Sequence, residues 1–302
     1  MQKILITGVN SFIGFHLSQK LQLHGYYIIG VGTSPKPKNS KLNKYIVTDF
    51  EYSKNLHEID YNIKTVYHLA SVTEHDKIEN YYNYTLKKLI IQIDNLGKYL
   101  KNLKIEKFIF SSSGKVYGAF NNKGFEENDL AIPNTKLGKI KKNIEDLIIE
   151  NFKDLDIQII FARIFNVFGP KQKNSFLIPS IFKQMNKSQI FLGNLNHKRD
   201  YLFISDVIEA LTCLKNYYSK RNIEIFNIGS GKETSIREIL DIIEKIYAKS
   251  LNIKIEQKKL RNDENLIEFC NNSKIKSIAW EQQISMYEGL MIYKKKFEIK
   301  KR

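Results

Sequence analysis

Three serines and a lysine between positions 108 and 145 have the types and spacing that chemistry needs. Ser111-Ser112-Ser113-Gly114-Lys115-Val116-Tyr117-Gly118 follows Phe108-Ile109-Phe110, a short β-rich run that a sheet can bury on both faces. The hydroxyls thus fall at the carboxyl end of a strand, where open α/β sheets bind ligands. After a loop containing Pro133, Leu137-Gly138-Lys139-Ile140-Lys141 opens a helix with Ile140, Ile144, Leu147 and Ile148 on one stripe. Residues 137 and 141 share a face of that helix, so the ammonium of Lys141 follows an apolar Leu137 by one turn.

The elements that must position this segment begin at the first residues. Ile4-Leu5-Ile6 reads as a strand, and Thr7-Gly8-Val9-Asn10-Ser11-Phe12-Ile13-Gly14 turns it into a helix carrying Ile13, Leu17 and Leu21, closed by Gly25. Strand, glycine turn and helix are the context a dinucleotide fingerprint requires, because the N–H groups of the helix start face the pyrophosphate. Gly8, Ser11, Phe12, Ile13 and Gly14 are therefore cofactor-binding candidates. Ser11 can cap the helix, with a side chain that would crowd the pyrophosphate. The second strand, Tyr27 to Val31, ends at Gly32-Thr33-Ser34 with no carboxylate for the ribose hydroxyls. Thr33, Ser34, Lys36 and Lys38 suit a 2′-phosphate instead, which favours NADP over NAD.

In order and spacing these segments resemble the extended short-chain dehydrogenase/reductase family, in its nucleotide-sugar epimerase, dehydratase and 4-ketoreductase branch. The family's Ser-Ser-x-x-x-Val-Tyr-Gly block matches here, and the resemblance implies that Ser113 binds substrate and that Lys141 is the lysine of Tyr-x-x-x-Lys, serving catalysis and the cofactor. Leu137 stands where the family has its proton-transferring tyrosine. Asp49, at the end of a third strand from Lys44, matches an adenine-contacting aspartate. Val66-Tyr67-His68-Leu69-Ala70 matches a fourth-strand motif whose backbone, at Leu69 and Ala70, approaches the cofactor; His68 is a strand residue. Arg163-Ile164-Phe165-Asn166-Val167-Phe168-Gly169-Pro170 resembles the block that leaves the cofactor domain, with Asn166 at the nucleotide sugar. Arg199-Asp200-Tyr201 and Asp206-Val207 match the next motif, implying Arg199 at the phosphates, Tyr201 beside it in the substrate site, and Asp200 and Asp206 as structural partners. Arg261 and Glu264 match an arginine–acid clamp on phosphate and ribose.

Composition bounds the rest. A chain of 302 residues with 42% hydrophobic content can bury a full core. No segment approaches the ~18 uninterrupted apolar residues of a membrane span, and Met1-Gln2-Lys3 leads straight into a strand, which points to the cytoplasm. Cys213 and Cys270 lack metal spacing and read as packing residues, so neither a metal site nor a disulfide is expected. The net charge of +16 comes from lysines scattered along the chain, which favours compositional bias over a nucleic-acid groove. Arginine occurs only at positions 163, 199, 221, 237, 261 and 302, and three of these fall in the motifs above, where a planar fork suits phosphate or carboxylate.

The expected fold is α/β, a Rossmann-type doubly wound parallel sheet with a smaller, sequence-interleaved C-terminal α/β substrate domain. Residues 1–165, with a return of about 204–230, form the NAD(P)-binding domain, and 166–302 the nucleotide-sugar domain. The resemblance implies hydride transfer at sugar C4 by a 4-epimerase or 4-ketoreductase, as a homodimer. Gly114-Lys115 replaces the Asp-Glu pair of 4,6-dehydratases, which disfavours dehydration. With Leu137, the proton must come from water, Ser113, Lys139 or Tyr117. A catalytically impaired NAD(P)/sugar-nucleotide-binding protein is the alternative, and an RNA-binding member a more distant one. Trp280 reads as core, and the tail from Lys294 to Arg302 as frayed.

Overall fold

The computed structural model describes residues 1–52, 59, 62–72, 75–118, 123–260 and 266–299. Strands β1 (Lys3–Thr7), β2 (Tyr27–Gly32), β3 (Lys44–Val47), β4 (Ile63–His68), β5 (Lys107–Ser113) and β6 (Gln158–Ile164) join the strand Ile223–Ile228 in one parallel sheet. Its order runs Ile223–Ile228, β6, β5, β4, β1, β2, β3 among the described residues. The order reverses direction beside β1, which is the Rossmann doubly wound arrangement.

Alternation along the strands divides the core in two. Ile4 and Ile6 pack with Leu17 and Leu21 of α1 (Phe12–Leu23) and with Val207 and Leu211 of the helix Ile204–Asn216. Leu5, Val66, Phe108 and Phe110 face the other way. They meet Leu89, Ile93 and Leu96 of α3 (Tyr82–Leu100), which follows α2 (His75–Asn80), and the stripe of α4 (Lys136–Phe152). Ile140, Ile144, Ile148 and Phe152 of α4 are all buried, each contributing roughly 1.5–3 kcal/mol relative to exposure. With both faces covered, near-continuous apolar strands are required, as Phe108 to Phe110 and Ile159 to Phe161 show.

Between β6 and the strand Ile223–Ile228 the chain leaves the sheet. Asn166–Phe168 pairs with Tyr201–Phe203, and Lys198–Arg199 pairs with both Thr234–Ser235 and Ile267–Glu268. The expected capping box of Ser235 and Glu238 starts the helix Ile236–Tyr247, and Trp280 is buried with its indole N–H on Asp206 O. The expectation of a frayed tail is overturned as far as Ile299: Met286–Ile299 is a helix whose Leu290 and Tyr293 are buried and whose Phe297 packs on Phe182. Three apolar residues at helical spacing are hidden there among lysines, and Lys294 caps Ile246 O at 3.2 Å. Residues 300–302 lie outside the described ones.

Candidate active site

The turn from Gly8 to Gly14 sits at the carboxyl end of β1, where the strand order reverses. Gly8 has φ +66°, and a Cβ there would come within 2.6 Å of Ala70 N, so the turn lies directly against the end of β4. Ala70 N–H donates to Thr7 Oγ1 at 3.4 Å, and Thr7 Oγ1 and His68 Nδ1 are 2.8 Å apart. Burial, then the charge of Lys141, hold the His68 pKa down at about 3, so its ring is neutral near pH 7 and serves the strand. Ser11 is the N-cap of α1, its hydroxyl accepting from Gly14 N–H at 3.0 Å. That hydroxyl is committed to the helix rather than standing over it. The first turn holds no acidic residue, and Phe12 and Ile13 contribute N–H groups without intrahelical partners. A glycine turn touching the next strand end, with uncontested helix-start donors, fits the pyrophosphate of a dinucleotide.

Farther along this edge, Thr33, Ser34, Lys36 and Lys38 are exposed after β2. Asp49 accepts from Glu51 N–H at 2.9 Å and lies 3.3 Å from Lys88 Nζ, so its carboxylate is already partnered. After β4, Leu69 is buried and Ala70 half-buried.

Ser113 ends β5 and caps a single 3-10 turn, Gly114–Val116, by accepting from Lys115 N–H at 3.2 Å. The start of α4 lies against that turn, since a Cβ on Gly138 would stand 2.2 Å from Lys115 O. One turn on, Lys141 is buried, donates to Ser111 O at 2.6 Å, and lies 4.8 Å from the centre of the Phe110 ring. Burial pushes its pKa down to about 8, against the pull of Glu145. The structure thus brings the segments of Ser113 and Lys141 together at the sheet edge. Leu137 is half-buried against the apolar cluster of Phe108, Phe110 and Ile140 and carries no exchangeable proton. Of the substitutes, Lys139 is exposed. Tyr117 is turned away: it is buried, stacked on Phe125, and donates to Asn227 Oδ1 at 2.7 Å, and burial pushes its pKa far up. Tyr117 is therefore a structural residue of the loop, its phenolic proton committed to Asn227.

Substrate-side candidates gather beyond β6. Asn166 and Tyr201 are register partners, and Asn166 N–H donates to Asp200 O at 3.0 Å. Asp200 is fully buried and accepts from Ser230 N–H and Oγ–H, Gly231 N–H and the Cys270 thiol, a structural knot as expected. Arg199 is buried too. Its Nη1 donates to Lys198 O at 2.9 Å and Leu266 O at 3.1 Å, and its Nε lies 4.0 Å from Glu268 Oε2. Lys115 Nζ reaches the same oxygen at 2.8 Å, linking the Ser113 turn to the arginine segment. A cavity of about 290 Å³ draws its wall from Asn194 to Asn196, Arg237, Ile255 and Leu260. Arg261 and Glu264 lie outside the described residues.

Sequence reasoning missed Glu268, whose partner Lys115 is 153 positions away and whose strand is two residues long. It also missed Asn10 and Tyr45, whose side chains meet after β2; a polar side chain inside the glycine turn is the one local signal. No group of His, Cys, Asp and Glu among the described residues could hold a metal ion, and no helix there is long and apolar enough to cross a membrane.

Comparison with known proteins places this geometry among relatives. The family model described as NAD dependent epimerase/dehydratase matches residues 4–229. The dTDP-4-dehydro-6-deoxyglucose reductase of Escherichia coli is 32% identical over 262 residues, 80% of each chain. A putative UDP-glucose 4-epimerase of Methanocaldococcus jannaschii is 29% identical over 308 residues, 95% of each. Among solved structures, the UDP-glucuronic acid 4-epimerase of Bacillus cereus, in complex with UDP-glucuronic acid and NAD, superposes with a TM-score of 0.87 at 27% identity, covering 99% of both chains.

Proposed function

The chain belongs to the NAD dependent epimerase/dehydratase family, and from that premise we propose that it binds a nicotinamide dinucleotide and a nucleotide-diphosphate sugar and acts at sugar C4 as an epimerase or 4-ketoreductase with altered proton transfer. What carries the reading is the convergence at one sheet edge of the Gly8–Gly14 turn, Ala70, Ser113 and Lys141. The relatives support it, since the similar solved structure holds NAD and a UDP-sugar and the E. coli relative is a reductase.

In this reading the residues up to 165, with the return of about 204–230, carry the cofactor, and 166–302 carry the sugar nucleotide. A bound nicotinamide would supply or accept the hydride. Helix-start N–H groups of Phe12 and Ile13 hold the pyrophosphate, and Asp49 contacts the adenine. Ser113 orients the reacting sugar oxygen, and Lys141 fixes the cofactor ribose and keeps the pocket positive. Asn166, Tyr201, Arg199, Arg261 and Glu264 hold the nucleotide portion, for which Arg199 must exchange its carbonyl partners for phosphate oxygens. NADP(H) is preferred over NAD(H), because β2 ends without a carboxylate and lysines follow. The protein works as a cytoplasmic homodimer.

Leu137 favours a second reading. With no hydroxyl at that position and Tyr117 turned away, the site retains binding groups but lacks an evident acid, which suits a sugar-nucleotide-binding protein with little turnover. Denaturing freshly purified protein and identifying the released nucleotides by mass spectrometry, with calorimetry on the full chain, tests the shared premise. Dinucleotide and sugar-nucleotide binding are the expected result; no affinity for either class would sink both readings.

A further inference from the structure

Gly32, the last residue of β2, has no room for a side chain. A Cβ there would stand 2.9 Å from Tyr45 Oη and 3.3 Å from Asn10 Nδ2, while the nearest Tyr45 ring carbon, Cε2, is at an ordinary 3.5 Å. Tyr45 comes from β3 and Asn10 from the glycine turn, so two neighbouring elements fill the volume that a carboxylate leaving β2 would use. Their groups are also bound to the loop that follows. Tyr45 Oη donates to Ser34 O at 2.6 Å. Asn10 Nδ2 donates to Tyr45 Oη at 3.0 Å and to Lys36 O at 3.3 Å, and Asn10 Oδ1 accepts from Lys38 N–H at 2.8 Å. Both amide protons of Asn10 and the one phenolic proton are therefore spent within the protein. What remains exposed around them is Thr33, Ser34, Lys36 and Lys38, hydroxyls and ammoniums on a braced loop.

We propose that Asn10 and Tyr45 set the choice between dinucleotides: they exclude the carboxylate that would hold two ribose hydroxyls, and they brace residues 33–38 as a site for a phosphate on the adenosine ribose. The inference rests on the cofactor reading above. It makes a specific claim about non-additivity. Installing a carboxylate at 32 fails while the Tyr45 hydroxyl is present and succeeds once it is removed, because the Tyr45 ring is then at ordinary contact and Asn10 Nδ2, at 3.3 Å and freed from that hydroxyl, has only a few tenths of an ångström to give.

The test is calorimetric titration of the full chain with NADP(H) and with NAD(H), on wild type, Gly32→Asp, Tyr45→Phe, Asn10→Ala and the double variant Gly32→Asp/Tyr45→Phe, each checked for folding by circular dichroism. Losing one neutral hydrogen bond should weaken NADP(H) about fivefold in Tyr45→Phe, and Asn10→Ala should weaken it more, with NAD(H) affinity unchanged in both. Gly32→Asp alone should lose affinity for both dinucleotides, and the double variant should prefer NAD(H) by about tenfold. If Gly32→Asp alone shifts preference as far as the double variant, or the double keeps the wild-type ratio, the inference is overturned while the cofactor reading stands. Should Gly32→Asp variants not fold, equal weakening of both dinucleotides by Tyr45→Phe and Asn10→Ala would overturn it. A wild-type chain that binds neither dinucleotide overturns the cofactor reading and this inference together.

Discussion

Arg163 grips Glu145 with two parallel hydrogen bonds, Nε to Oε1 at 3.1 Å and Nη2 to Oε2 at 2.8 Å, and Ser112 Oγ donates to the same carboxylate at 2.5 Å. Glu145 lies one helical turn after Lys141, so this buried pair ties the helix bearing the lysine to β5 and β6. Removing one partner leaves an uncompensated buried charge. Glu145→Ala should therefore destabilise the fold by ~3–5 kcal/mol in urea unfolding. A cost below ~1 kcal/mol would show that the pair is solvated.

Arg199 is held by two carbonyls and lies near the oxygen that Lys115 also contacts. If it turns to buried phosphate oxygens, Arg199→Ala should weaken sugar-nucleotide binding by ~2–5 kcal/mol and leave dinucleotide affinity unchanged. Arg261→Ala should behave in the same way. Equal loss of both ligands in calorimetry would mean damage to the fold, and no loss would remove the arginines from the site.

Lys141 gives a pH signature. Burial lowers its folded pKa from 10.5 to about 8, so between those values the unfolded chain binds more protons than the folded one, and stability from this group rises with pH. Relative to Lys141→Met, wild type should gain on the order of 3 kcal/mol from pH 8 to 10.5. Lys107, lowered to about 8 chiefly by burial, is common to both proteins and cancels in the difference. A difference that is flat or falls across this window would contradict a Lys141 whose pKa burial has lowered.

Much of this was legible because it is written in local patterns. The glycine turn, the strand runs and the Ser235–Glu238 capping box each need only a few neighbouring residues, and each stands where the sequence reading puts it. The helix Met286–Ile299 was not legible, because its three packing residues are diluted by lysines and find their partners only in the fold. Tyr117 shows the limit at the site. Nothing nearby in the chain says that its hydroxyl points to Asn227, 110 positions away, rather than to a ligand. The Lys115–Glu268 pair and the crowding at Gly32 by Tyr45 are likewise products of tertiary approach.

The central claim is that Leu137 marks a lost or relocated proton transfer on an otherwise complete scaffold. Leu137→Tyr places a phenol one helical turn before Lys141, at a position half-exposed at the sheet edge. With a 4-keto sugar nucleotide first shown to bind, NADPH oxidation followed by absorbance should rise by ~10²-fold over wild type. Wild type turning over at ordinary enzyme rates, with Leu137→Tyr no faster, would contradict the claim and place the proton on another group.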